Sequence, residues 1–185
     1  MRRIVIIGPE STGKSTLCDQ LAKHYQTIWC PEFARDFLIQ HGKEYNYEDL
    51  LTIAKGQTTL EDQLASTILI KDSSALKKSL LFIDTDLYVM KVWCEYVFSK
   101  CHYSILEEIS NRKYDLYLLC NIDLPWVPDD LREYPDEAPR LELYNMYKDI
   151  MVQQKTPWVE ISGSYEQRLS TAIEAVDQLL FNDQF

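Results

Sequence analysis

The stretch "GPESTGKST", residues 8–16, carries the residues best suited to chemistry, with the spacing Gly8-x-x-x-x-Gly13-Lys14-Ser15 of the Walker A pattern. Each residue type has a reason to be there. Glycines let the backbone turn its N–H groups inward around phosphate oxygens. A helix starting directly after the loop aims its positive end at the same anion. Lys14 adds a mobile cation for the β and γ phosphates. Ser15 offers a hydroxyl to Mg²⁺, a hard ion that prefers oxygen. Thr16 follows with a second hydroxyl, and Glu10, Ser11 and Thr12 lie inside the loop. The pattern points to a bound nucleoside triphosphate. It leaves the fate of the phosphate open, because kinases, motor ATPases and switch proteins share such a loop.

Carboxylates must decide that question. Glu32 and Arg35 occur in "CPEFARDF", and Asp84 and Asp86 in "LLFIDTDL". Phosphoryl transfer asks for a carboxylate on Mg²⁺, another near the attacking hydroxyl, and cations on the transferring group. Asp84, at the end of an apolar run, is the expected Mg²⁺ partner together with Ser15. Glu32, Asp86 and Glu10 compete for the hydroxyl. Each has a plainer reading: Glu10 and Glu32 as helix N-terminal acids, Arg35 as a structural ion-pair partner, and Asp86 as a cap on the helix starting at Leu87.

Residues 121–140, "NIDLPWVPDDLREYPDEAPR", hold four prolines amid dense charge. Such a segment in a compact domain is either a solvated loop or a functional one. Read as a lid, it would exclude water from the transfer, with Arg132 and Arg140 bringing charge to the phosphates. Trp126 offers a face on which a planar cation would stack, or else anchors the loop through apolar contact.

The elements that must position these groups follow from the apolar pattern. Runs at 4–7, 27–30, 80–83, 114–120 and 157–161 lack polar alternation, as strands buried on both faces do. Helical spacing covers 15–25, 47–71, 87–100, 140–154 and 165–181. Strands alternating with helices predict parallel pairing in a three-layer α/β/α domain spanning residues 1–185. Active sites in such sheets lie at the carboxyl ends of the strands, where the loop and the acids fall.

Composition narrows the partners. A net charge of −10 argues against nucleic acid or an anionic membrane as partner. The apolar runs fall short of the roughly 18 residues of a membrane span, and the N-terminus does not read as a secretory signal. A cytoplasmic location is expected. Cys18, Cys30, Cys94, Cys101 and Cys120 form no C-x-x-C pair and read as small core residues. His24, His41 and His102 make no ligand pattern. The aromatic run with Tyr88, Trp93, Tyr96, Phe98 and Tyr103 suits core or dimer contact, so a homo-oligomer stays open.

Taken in order, "GPESTGKSTL", "PEFARDFL", "FIDTDL" and "LPWVPDDLRE" resemble the ribosylnicotinamide kinase domain of the bacterial NAD-biosynthesis and regulator proteins, within the P-loop kinase superfamily. The resemblance runs from the first strand to the last helix. It implies a five-stranded parallel sheet in the order 2-3-1-4-5, with ATP and Mg²⁺ as co-substrates. Nicotinamide riboside would be the small-molecule acceptor and nicotinamide mononucleotide the product. Gly8 to Thr16 would hold the phosphates, Glu32, Arg35, Asp84 and Asp86 would face ribose and metal, and Trp126, Asp129, Asp130 and Arg132 would belong to the lid and the pyridinium side. "SGSYEQR", residues 162–168, would lie where such kinases cradle adenine. Larger family members carry a nucleotidyltransferase domain before the kinase; this chain begins at the first strand, so the kinase reaction alone is expected. Two rivals remain: a kinase for another nucleoside or a nucleoside monophosphate, and a nucleotide-binding regulatory ATPase module.

Overall fold

The computed structural model describes residues 1–71 and 79–182. Among these residues the chain runs β1 (Arg2–Ile7), α1 (Lys14–Tyr25), β2 (Ile28–Cys30), α2 (Phe33–His41), α3 (Tyr47–Lys71), β3 (Leu80–Asp84), α4 (Leu87–Phe98), α5 (Tyr103–Asn111), β4 (Leu116–Cys120), α6 (Glu137–Gln153), β5 (Trp158–Ile161) and α7 (Tyr165–Asn182). The five strands form one parallel sheet in the order β2-β3-β1-β4-β5. Two short helices, α2 and α5, were not expected from the sequence. The segment 121–140 is irregular only as far as Asp136, because α6 starts at Glu137 and takes Pro139 into its first turn, where a missing N–H costs little.

The side-chain period of two explains the three layers. Ile4, Ile6, Phe82 and Leu118 face one side of the sheet and pack with Leu17, Leu21, Ala172 and Val176 of α1 and α7. Val5, Ile7, Leu81, Ile83 and Leu119 face the other side and meet α3, α4 and α6 through Ala65, Val92, Leu143 and Tyr147. A third cluster joins α2, α3, α4 and α5 beyond the sheet edge. With all five residues of both β3 and β4 buried, these strands read as the uninterrupted apolar runs expected when both faces are covered.

This arrangement brings the chemistry together. The register sets Ile6 of β1 beside Asp84 of β3, so the loop leaving β1 and the acid ending β3 emerge at the same sheet edge. Gly8 starts the loop at φ +141, and a Cβ there would lie 2.6 Å from the Cys120 carbonyl oxygen. Only glycine lets the loop pass so close to β4.

Candidate active site

The loop between β1 and α1 is braced from several directions. Thr12, almost fully buried, donates its hydroxyl to the Pro9 carbonyl at 2.7 Å. Lys14 Nζ donates to the same carbonyl at 2.8 Å. Arg168 of α7, 2% exposed, donates to the carbonyls of Thr12, Asn121 and Gly163 and pairs with Asp123. One guanidinium thus ties the loop to the turns that follow β4 and β5. From residues 162–168, Arg168 and Tyr165 meet the phosphate loop, the Tyr165 ring lying 3.4 Å from a Cβ built on Gly13.

A cavity of about 470 Å³ opens in front of this loop. Lys14, Ser15, Glu32, Arg35 and Asp84 line it, as do Glu10, Asp129 and Arg132. The Ser15 hydroxyl donates to Asp84 Oδ2 at 2.5 Å, while Asp84 Oδ1 is buried without a hydrogen-bond partner. A hydroxyl and a carboxylate with a spare oxygen form an oxygen donor set suited to Mg²⁺. Among the described residues no group of three or more His, Cys, Asp or Glu is arranged for a metal. Burial raises the Asp84 pKa, against the Lys14 charge and the Ser15 hydrogen bond. Burial and the Asp84 charge push Glu32 up to about 7, partly offset by Lys14 and Arg35. A carboxyl poised near neutrality suits proton transfer.

The segment 127–134 is tied to the phosphate loop and to α2. Glu10 accepts from the backbone N–H groups of Glu133, at 3.0 Å, and Tyr134, at 2.5 Å. Ser11 Oγ accepts from Val127 N–H at 3.0 Å and from Arg132 at 3.2 Å. Arg35 of α2 pairs with Asp129 at 2.9 Å. The phosphate loop's own side chains hold the segment 127–134, which lines the cavity through Asp129, Leu131, Arg132, Glu133 and Tyr134.

Two of the expected residues lie elsewhere. Asp86 is 2% exposed and outside the cavity lining; it caps α4 by accepting from Tyr88 N–H at 2.9 Å and also accepts from the Tyr117 hydroxyl at 2.8 Å. Trp126 does not line the cavity either, and its ring faces the guanidinium groups of Arg140 and Arg132 at 5.3 and 5.8 Å. Conversely, sequence reading missed the cavity's aromatic wall. Trp29, Trp93, Tyr96, Tyr134 and Tyr147 line it, and the Trp93 indole donates to Tyr45, whose hydroxyl donates to Glu133. The aromatics of "LYVMKVWCEYVF" signal only Trp93 and Tyr96 of this wall.

Asp86 offers a clean pH test. Burial raises it to about 6, opposed by the bonds from Tyr117 and Tyr88. The folded value lies above the unfolded one, so the stability gained by the protonated form is complete below about 3.9 and is lost as pH rises through 6. The Asp86→Asn melting temperature should match wild type near pH 4 and exceed it by a few degrees near pH 8. A lower melting temperature throughout would show that the ionised carboxylate is the form the fold holds. A kcat loss beyond about tenfold, with stability kept, would assign Asp86 to the chemistry.

Phosphate loop, parallel sheet order and strand-end acids together define a P-loop fold of the kinase type. The chain belongs to the AAA-domain family, whose model matches residues 3–168. It is 28% identical over 185 residues to the trifunctional NAD biosynthesis/regulator protein NadR of Escherichia coli, and 27% identical to that of Salmonella typhimurium. Each alignment covers 97% of this chain and 43% of the relative, so the chain spans less than half the length of the curated relatives it matches. The crystal structure of NadR protein in complex with NR superposes with a TM-score of 0.77 at 22% identity, covering 96% of this chain and 49% of that one. Thymidylate kinase from Ehrlichia chaffeensis superposes at 0.65 with 12% identity, covering 96% and 98%. These likenesses establish the fold, and the homology to NadR agrees with the resemblance drawn from the motifs. Among the described residues no helix is long and apolar enough to cross a membrane.

Proposed function

We propose that the protein is an ATP-dependent kinase that transfers the γ-phosphate to the 5′-hydroxyl of nicotinamide riboside, giving nicotinamide mononucleotide. One observation carries this reading: the phosphate loop opens directly into a cavity with an aromatic wall and the carboxylates of Glu10, Glu32 and Glu133. Such a chamber suits a planar, cationic base on a ribose, through aromatic stacking and charge. The relatives' names, and a NadR structure holding NR, support the same class of acceptor.

The proposed steps use groups already described. Gly8, Glu10, Ser11, Thr12, Gly13, Lys14, Ser15 and Thr16 form the nucleotide cradle, with Lys14 over the β and γ phosphates. Ser15 and Asp84 would hold Mg²⁺, which would supply charge neutralisation to the phosphates. Glu32 accepts the proton of the attacking hydroxyl as its oxygen bonds to the γ-phosphorus. The bond to the bridging oxygen breaks, and ADP leaves with the electron pair. Arg132, carried on the segment 127–134, stabilises the charge spread over the transferring group. Arg35 and Asp129 fasten that segment to α2. Asp86 acts outside the cavity by capping α4 and holding Tyr117, and Trp126 serves through the arginines stacked on it.

The test measures ADP formation with Mg-ATP, alone and with nicotinamide riboside, the common nucleosides and their monophosphates. Stimulation of at least about 100-fold by nicotinamide riboside, with the mononucleotide as product, is expected. Equal or greater stimulation by another acceptor, or acceptor-independent ATP loss, would overturn the substrate.

A further inference from the structure

We propose that Gln57, a buried side chain on α3 outside the cavity, is a positioning residue that fixes the spacing between Glu32 and Asp84; its kinetic consequence rests on the reading above. Gln57 is 2% exposed. Its Oε1 accepts from the Phe33 backbone N–H at 2.8 Å, and its Nε2 donates to the Thr85 carbonyl at 3.2 Å, with Cys30 Sγ at 3.5 Å. One amide therefore touches the end of β2, the start of α2 and the turn after β3. Glu32 lies inside the first of these spans, between Cys30 and Phe33, and Asp84 directly precedes Thr85.

Local structure explains why such a tie is needed. Glu32 is the residue before α2, and its side chain makes no capping bond but lines the cavity. The first amide of a helix has no partner within the helix, and here Gln57 supplies one from another element. On the other side, Thr85 has φ +69, a costly left-handed conformation for a β-branched residue. That turn separates Asp84, which faces the phosphate loop, from Asp86, which caps α4. Thr85 is held at both backbone polar groups, by N–H to the Ile6 carbonyl at 3.0 Å and by the Gln57 amide at its own carbonyl. The neighbouring α3 residue reinforces the bridge: a Cβ on Gly56 would lie 2.1 Å from Phe33 Cε1, so the Phe33 ring rests on bare α3 backbone. Glycine within a helix is less favourable than alanine, and this contact gives it a purpose.

The test compares Gln57→Met, which keeps length and removes both bonds, with Gln57→Glu, which keeps an acceptor for Phe33. Gln63→Met, an exposed substitution on the same helix, serves as control. Misplacing a reacting group by about 1 Å can cost on the order of 100-fold. Gln57→Met should lower kcat about 10- to 100-fold, while KM for ATP and the affinity for AMP-PNP stay within about twofold, because the phosphate loop is braced independently by Arg168. Hydrogen exchange at the Phe33 amide should quicken at least about tenfold, with α1 unchanged. Gln57→Glu should keep Phe33 protection and show an intermediate kcat, and it decides the matter if Gln57→Met does not fold. Wild-type kcat in the Gln57 variants would overturn the inference, as would parallel losses of kcat, AMP-PNP affinity and melting temperature, the mark of a merely structural residue. Failure of the unsubstituted protein to form the mononucleotide would instead sink the proposed function. In that case exchange alone judges Gln57, and unchanged protection at Phe33 overturns the bridge.

Discussion

Lys14→Ala should lower kcat by about 100- to 1,000-fold while leaving the protein folded. The ammonium sits at the start of α1, and its recorded bond is to a carbonyl of its own loop. It is a charge held for a ligand more than a strut of the fold. Removing one preorganised donor aimed at developing charge costs about 100- to 1,000-fold in kcat. Lys14 also neutralises ground-state phosphate charge, so the loss should appear in nucleotide affinity too. Alanine is the best helix former, and Leu17, Cys18, Leu21 and Ala22 anchor α1 in the core. The melting temperature should therefore stay within a few degrees of wild type. Turnover near the wild-type rate in a folded variant would contradict a catalytic role for the phosphate loop.

The phosphate loop was legible because its chemistry needs fixed residue types in one continuous segment, with a strand before and a helix after. The sheet was legible for a related reason: strands buried on both faces, such as β3 and β4, leave uninterrupted apolar runs that loops and amphipathic helices do not. Short helices are different. α2 and α5 span nine residues each, too few for a helical period to stand out, and α2 is fixed by tertiary contacts at Phe33. Arg168 reaches Thr12 across 156 residues, a distance at which spacing carries no signal. The aromatic wall is the most instructive case. Trp29, Trp93, Tyr134 and Tyr147 come from four separate segments, and their shared purpose exists only once the sheet gathers them. In sequence, the α4 aromatics read equally well as core or dimer contact.

Asp84→Asn and Glu32→Gln should each lower kcat by about 100-fold or more, with separable signatures. Asp84 Oδ1 has no hydrogen-bond partner and Oδ2 is held by Ser15. Asparagine keeps the shape but surrenders the charge that a divalent ion needs, so Asp84→Asn should raise the Mg²⁺ concentration needed for activity as well as lower kcat, and excess Mg²⁺ should restore part of the rate. Glu32→Gln should leave Mg²⁺ dependence intact and alter the pH profile instead. Glu32 must be ionised to accept a proton, and burial beside Asp84 puts its pKa at about 7. In the wild type, kcat/KM for the acceptor should therefore rise with pH through an inflection near 7, and that limb should vanish in Glu32→Gln. Stability should run the other way. A folded pKa above the unfolded value confers stability that is complete below about 4.3 and is lost as pH rises through 7. Glu32→Gln should then melt at or above the wild-type temperature near pH 8, which is the expected relation for a residue held under electrostatic strain for chemistry. Near-normal kcat in both variants would reject this division of labour. An unchanged pH limb in Glu32→Gln would move the proton acceptor to another carboxylate of the cavity, and Glu10 is then the next to substitute.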